Sequence, residues 1–492
     1  MQTLQGQSLS PVGRPHPWHA VIHGSEKPRY VAIADVIADD MRSGRLPPGA
    51  RLPAQRVLAE ALEVDFTTVA RGYQEAQRRG LIESRVGAGT FVRDGAAAAP
   101  CAPEPLLAAD AAATSIAQSS IRSTARCSAD LSMNLPPDVD DPELLARMRT
   151  GLAEVGQDLV DLLRYQEFGG AETGRQGGVD WLALRGLSVR SDGLLVCAGT
   201  HSALHAVLGA LANPGDRICA ETLTYPGLRG LAAQLGLEVI GLPMDEDGIL
   251  PDAFAEVCRT RPPKALYCNP TLQNPTTVTL SAERRQALVD IARLHGVAIV
   301  EDDAYGALPV GGPVPMAALA PDIVFHIAGV AKILGAGLRV AYLTVPEARH
   351  VWQLSAFLRA TTVMASPLTV ALATRWIGDG TAQGILAAIR TESTLRQTIA
   401  RGILPGSALR SKPEAFHYWL PLPEGWSRSS FAATLRGAKL GIVVSDAFSV
   451  NSPAPEAVRL CLGGCDRDET RSALEMIAHT LSRPPELASV FL

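Results

Sequence analysis

Between residues 194 and 327 the sequence repeats one pattern: a short apolar run, then a stretch whose apolar residues recur at helical spacing. The runs 194–197, 217–220, 238–242, 265–268, 298–300 and 323–327 read as strands, and 202–211, 225–235 and 281–295 as helices among them. Strands this short and apolar are buried on both faces, so the pattern predicts a mostly parallel sheet covered by helices. Ligands of such sheets sit beyond the carboxyl ends of the strands. After a long helical region, 346–401, the runs 416–422, 441–444 and 458–462, with a helix near Ser430, predict a smaller α+β subdomain.

The strand ends carry the chemistry. The first runs into Gly199-Thr200-His201-Ser202 at a helix start, where free backbone N–H groups and the Ser202 hydroxyl suit a phosphate. An ordinary capped helix start reads the same way. His201 and His205 stand four apart, but with no third ligand in sight no metal site is assigned. Run 298–300 leads into Glu301-Asp302-Asp303-Ala304-Tyr305. Asp302 there suits a pyridinium nitrogen and Tyr305 the phenolate oxygen of the same ring, although a solvated turn or a magnesium site gives a similar pattern. Asn274, in Gln273-Asn274-Pro275-Thr276, is placed to donate to that oxygen or to make a plain turn, and Tyr225 to stack on the ring or fill the core.

Run 323–327 leads into VAKILGAGLR, residues 330–339. Burial disfavours an ammonium, so Lys332 suits a Schiff base with an aldehyde cofactor, and Arg339 suits its phosphate. On these residues alone, a turn with two solvated cations is the better description.

The N-terminal part follows a different pattern. Apolar residues at helical spacing through Ile33, Val36, Ile37 and Met41 stop at Ser43-Gly44. A second helix over 55–62 should pack Val57, Leu58 and Leu62 inward, and a third starts after Asp65 and runs to Arg79-Gly80. Runs 81–85 and 90–92 read as strands of a hairpin, which makes a winged helix-turn-helix. Thr67, Thr68 and Arg71 lie on the early turns of the third helix, with Arg56 and Arg85 as further contacts to DNA. A small helical adaptor with surface arginines is the competing description. The net charge of −5 gives no general positive coat, so only this local surface points to double-stranded DNA.

Residues 94–130 are rich in Ala, Pro and Ser and predict a flexible linker. The eight cysteines show no paired C-x-x-C spacing and read as reduced thiols of a cytoplasmic protein. The long uncharged run 193–215 holds His201, His205, Asn213 and Pro214, which argues against a membrane span.

The run LPPGARLPAQRVLAEALEVDFTTVARGYQEAQRRGLIESRVGAGTFV resembles the DNA-binding head of GntR-type bacterial regulators. It departs at Phe66, where the family often has a polar or basic residue. The order and spacing of the strand-end residues from 131 to 481 resemble fold-type I pyridoxal phosphate aminotransferases. That resemblance implies Lys332 as the Schiff-base lysine, Asp302 at the ring nitrogen, and Asn274 and Tyr305 at the ring oxygen. It further implies Arg339 with Thr200, His201 and Ser202 at the phosphate, Tyr225 on the ring face, Arg459 on an effector carboxylate, and Tyr165 reaching the partner subunit's phosphate in a homodimer. The family's usual serines three and one residues before the lysine are Gly329 and Ala331, and the glycine that commonly ends Asn-Pro-Thr is Thr277.

Head, linker and body in this order resemble the MocR subfamily of GntR-type regulators. The expected organisation is a winged helix-turn-helix over 25–94, a linker over 95–130, and an aminotransferase-like body over 131–492, its large domain at about 131–400 and its small one at about 401–492. The function this implies is a regulator that binds an operator and senses an amino compound through an external aldimine. A working aminotransferase with a fused head is the alternative, and a sensor of pyridoxal phosphate supply is a third.

Overall fold

A computed structural model describes residues 17–24, 28–47, 49–78, 81–85, 89–92, 129–404, 411–450 and 453–483. Most of the expected linker, the end of the third head helix at Arg79-Gly80 and the wing tip at 86–88 lie outside the described residues. The chain divides into two compact units, Met1–Arg122 and Ser123–Leu492.

In the first unit, helices α1 (His19–His23), α2 (Arg29–Arg42), α3 (Gln55–Leu62) and α4 (Phe66–Arg78) precede an antiparallel hairpin of β1 (Ile82–Arg85) and β2 (Gly89–Val92). Ile33, Ile37, Leu58, Leu62, Val69 and Tyr73 are buried together. The expectation for Val57 is corrected: it is 47% exposed. The inward stripe of α3 is Leu58, Ala59 and Leu62, and Val57 falls about 100° off that stripe. Glu63 ends α3 in the left-handed conformation (φ 50°), and Asp65 starts α4 by accepting from the Thr67 backbone N–H at 2.7 Å.

The second unit is built on a seven-stranded sheet of order β3-β11-β10-β9-β8-β4-β5. Its strands are β3 (Leu194–Cys197), β4 (Arg217–Glu221), β5 (Glu238–Leu242), β8 (Ala265–Cys268), β9 (Ala298–Asp302), β10 (Val324–Gly329) and β11 (Ala341–Thr344). The short hairpin β6 (Met244–Asp245) and β7 (Gly248–Ile249) lies between β5 and β8. The strand β11 has no counterpart among the runs expected from sequence, and it is the one that runs antiparallel to both its neighbours. The remaining pairings in this sheet are parallel.

Alternation along the strands divides the core. Leu194, Val196, Cys268 and Ile299 join one apolar cluster, whereas Leu195, Cys197, Tyr267 and Val300 join another. The sheet is therefore covered on both sides, as its apolar runs require. Among the covering helices are α5 (Pro142–Val155), α6 (Glu172–Ala183), α7 (Thr200–Leu211), α8 (Pro226–Gln234), α9 (Pro251–Thr260) and α10 (Ala282–His295). The region expected to be helical after Pro346 holds α11 (Ala348–Thr361), α12 (Pro367–Gly378) and α13 (Thr381–Ile403). A three-stranded antiparallel sheet of β12 (His417–Pro421), β14 (Ala457–Cys461) and β13 (Val443–Val444), with α14 (Arg428–Gly437) and α15 (Arg467–Leu481), completes the unit.

Candidate functional site

The strands β3, β4, β8, β9 and β10 run in one direction, so Gly199, Glu221, Asn269, Asp302 and Gly329 come to the same edge of the sheet. Asp302 closes β9 on the face it shares with Tyr267 and is buried. Its Oδ2 accepts from the Tyr267 hydroxyl at 2.9 Å, while Oδ1 is buried with no partner among the described residues. Burial pushes its carboxyl up to about 6, partly offset by the Tyr267 hydrogen bond. A buried acceptor without a donor is costly by itself, and a protonated ring nitrogen would satisfy it.

Behind Asp302 a second carboxyl is buried. Glu221 accepts from the Asn269 backbone N–H at 2.7 Å and from the Thr224 hydroxyl at 2.9 Å, and burial pushes it up to about 7. Asn269 in turn donates to the Asp302 main-chain carbonyl at 2.5 Å and accepts from the Asn274 N–H at 2.9 Å. These bonds tie the ends of β4, β8 and β9 to the loop that carries Asn274. On the opposite face of β9, Glu301 pairs with Arg285 at 3.4 Å and Asp303 with Arg185 at 3.1 Å. Burial opposes the Asp303 charge, yet Arg185 and His326 hold that carboxyl well below its usual range.

Lys332 lies in a short 3-10 turn directly after β10. Burial lowers its pKa, and the neighbouring Arg459 and Arg339 guanidinium groups act the same way against the opposing pull of Cys461 and Asp302. Its Nζ donates to the main-chain carbonyl of Asn134. Arg339 adopts a left-handed backbone (φ 52°) and turns its guanidinium towards Gly199, where a Cβ would stand 2.8 Å from Nη2. Gly199 itself has φ 88°, so a glycine both makes the turn into α7 and leaves room for the cation. A Cβ at Gly329 would fall on the Thr200 hydroxyl. The space of one of the family's usual serines is thus filled from α7. Thr277 keeps the left-handed backbone of a glycine (φ 62°) although it carries a β-branched side chain.

Arg459, on β14, is buried. Its Nη1 donates to Asn274 Oδ1 at 2.9 Å, its Nη2 to the Ser132 carbonyl at 2.6 Å, and its guanidinium lies 5.0 Å from the centre of the Phe448 ring. The Tyr305 hydroxyl accepts from Asn134 Nδ2 at 2.8 Å. Stretch 130–135 therefore touches the lysine, the phenol and the arginine at once. It is stitched into the small sheet, since the Leu131 N–H donates to the Gly441 carbonyl and its carbonyl accepts from the Cys461 N–H, both at 2.9 Å.

Neither Asn134, Tyr267 nor Glu221 stands out in the sequence. Tyr267 shares strand parity with the core residue Ala265, and Asn134 lies 198 residues from Lys332. Tyr225 lies close enough to Asp302, Arg339 and Arg459 for their charges to act on its hydroxyl. Tyr225 is partly buried with its ring 5.6 Å from that of His201, whose own pKa is lowered by burial and by Arg339. The Ser202 hydroxyl pairs with Thr362 at 3.2 Å, and Tyr165 is 82% exposed. In the head, the Thr67 hydroxyl bonds to Asp65 at 2.5 Å, Thr68 is partly exposed, and the Arg71 guanidinium lies 4.3 Å from the Tyr30 ring centre. Arg56 lies 5.9 Å from the Phe66 ring centre. Arg85 closes β1 opposite Gly89, and its side chain lies outside the described set.

The sequence profile of the aminotransferase class I and II family matches residues 130–477. The chain belongs to that family. Residues 29–92 match the profile of bacterial regulatory proteins of the gntR family, so this is a MocR-type transcriptional regulator with a pyridoxal phosphate domain. It is 28% identical to the uncharacterized HTH-type transcriptional regulator YdeF of Bacillus subtilis strain 168, over 91% of this chain and 92% of that one. It is 25% identical to the regulator YjiR of Escherichia coli K12, over 93% and 100%. Among solved structures, an archaeal alanine:glyoxylate aminotransferase shares the fold with a TM-score of 0.67 and 24% identity, over 75% of this chain and 94% of that one. LysN, the α-aminoadipate aminotransferase of Thermus thermophilus, does so with 0.66 and 21%, over 76% and 95%.

The residues present fit the cofactor. The unpartnered Asp302 oxygen suits a pyridinium nitrogen, the Arg339 guanidinium at the start of α7 suits a phosphate, and Lys332 supplies the amine. No helix among the described residues is long and apolar enough to cross a membrane.

Proposed function

We propose that this regulator senses an amino compound by imine exchange at Lys332, with a head over 25–94, a tether over 95–130 and the sensing body over 131–492. The carrying observation is that Asp302, with its unpartnered oxygen, and the buried guanidinium of Arg459 both lie close enough to Lys332 for their charges to act on it. Bound at these residues, pyridoxal phosphate would supply an aldehyde carbon that is electrophilic towards the Lys332 amine and towards an effector amine.

The protein's own groups divide the remaining work. Burial disfavours the charged form of Lys332, and the Asn134 carbonyl accepts a hydrogen bond from its Nζ. Ionised Asp302 keeps a proton on the ring nitrogen, and Asn274 and Tyr305 hold the ring oxygen. Arg339, Thr200, His201 and Ser202 hold the phosphate, and Tyr225 covers the ring. Arg459 grips the effector's carboxylate with its fork. Tyr165, largely exposed on one chain, reaches the phosphate of a second copy in a homodimer. The head reads an operator through Arg56, Thr67, Thr68, Arg71 and Arg85. Gly329 and Ala331 leave two usual hydroxyls out, which favours holding an amine over turning it over.

Absorbance titration of the full chain with a panel of amino acids, run beside assays for 2-oxo acids and for binding to duplex DNA, tests the proposal. One amino acid is expected to shift the cofactor band and change DNA affinity without sustained product. Lys332→Ala should lose the imine band. Sustained turnover with no DNA binding would replace the sensor by an aminotransferase.

A further inference from the structure

We propose that Phe66 makes the head a reader of a pyrimidine C5-methyl group in the major groove of DNA. The inference rests on the gntR-type head alone and is independent of any effector. Phe66 is the first residue of α4, the helix that a winged helix-turn-helix places in the groove, and it is 44% exposed. Helix formation gives no reason for it, because an aromatic side chain is a weaker helix former than Ala, Leu or Arg. Nor does folding, since its neighbours Val69 and Tyr73 supply the inward face of α4.

The surroundings define the partner. Asp65 accepts from both the backbone N–H and the hydroxyl of Thr67, so that hydroxyl is already engaged. One turn on from Phe66 stands Ala70, on the same side of the helix. Together with Gln55, Thr67, Arg71 and Gln77 they border a concavity of about 300 Å³. Two cations stand near it. The Arg56 guanidinium lies 5.9 Å from the Phe66 ring centre, and Arg71, which lines the concavity, is stacked on Tyr30 at 4.3 Å, so positive charge stands beside an apolar spot. That arrangement complements a duplex, which offers phosphates to the cations and a base edge to the ring. The apolar group on a major-groove base edge is the C5-methyl, which thymine carries. A 5-methylcytosine carries the same group.

The test uses the full chain and two random duplex libraries, one with cytosine and one with 5-methylcytosine. Selected sites are then remade with uracil in place of each thymine in turn, which deletes only the methyl. For the wild type, uracil at one half-site position should weaken binding roughly fivefold or more. Phe66→Ala should bind less well and be indifferent to uracil at that position, while Phe66→Leu, still apolar, should keep part of the sensitivity. If methylated cytosine is the target, enrichment appears in the methylated library and removing that methyl has the same effect. The proposal is overturned if no methyl deletion matters, if Phe66→Ala stays as sensitive as the wild type, or if neither library yields an enriched sequence.

Discussion

Arg459 Nη1 lies 2.9 Å from Asn274 Oδ1, joining a strand of the small sheet to the loop after β8, 185 residues away. With the Ser132 carbonyl on Nη2 and Phe448 against the guanidinium, the cation is held in one orientation before any carboxylate arrives.

Arg459→Lys keeps the charge and loses the fork. Binding of amino acids, followed by the cofactor absorbance, should weaken by about 2 kcal/mol, roughly thirtyfold. Simple amines without a carboxylate should bind the variant and the wild type alike. An equal loss for both classes would mean that the arginine acts on the fold and not on the carboxylate.

The contact between Gly329 and Thr200 gives a second test. Gly329→Ser restores the family's usual hydroxyl but drives Thr200 from its present rotamer, and should cost roughly 1 to 2 kcal/mol. Adding Thr200→Ala should recover most of that loss. Urea unfolding of the cofactor-free chain measures the cycle, and additive losses would show that the two positions do not share space.

Glu221 carries a pH dependence. Its carboxyl is raised by burial from an ordinary 4.5 to about 7, so the folded chain retains a proton that the unfolded chain releases. The stabilising effect is fully present below about 4.5 and is lost as pH rises towards 7, by about 3 kcal/mol in total. Glu221→Gln keeps an acceptor for the Asn269 N–H and does not ionise. Relative to the wild type, the variant should gain stability across pH 5 to 7 in urea unfolding and hold that gain above it. A constant difference at every pH would remove Glu221 as the titrating group.

Much of the body was legible because its strands are short, apolar and followed at once by chemically distinctive residues. Asp302 follows the apolar run 298–300 and Lys332 the run 323–327, and Arg339 ends the glycine-rich turn after the lysine. The antiparallel strand β11 was hidden because Ala341–Thr344 follows a glycine-rich turn and had no helix before it to mark a crossover. Asn134 was invisible for another reason. It lies in a proline-containing stretch without periodicity, and its importance comes from hydrogen bonds made across 171 and 198 residues. Val57 misled in the opposite sense, since an apolar residue beside Leu58 looks buried until the helical phase is counted.

The same Asn134 stands four residues from Asp130, near where the described part of the body begins. The described body thus opens, within a few peptide bonds, on the carbonyls that accept from Lys332 and Arg459. Under the proposed sensing, an exchange at Lys332 would remove or restore a hydrogen bond to the stretch with which the described body opens.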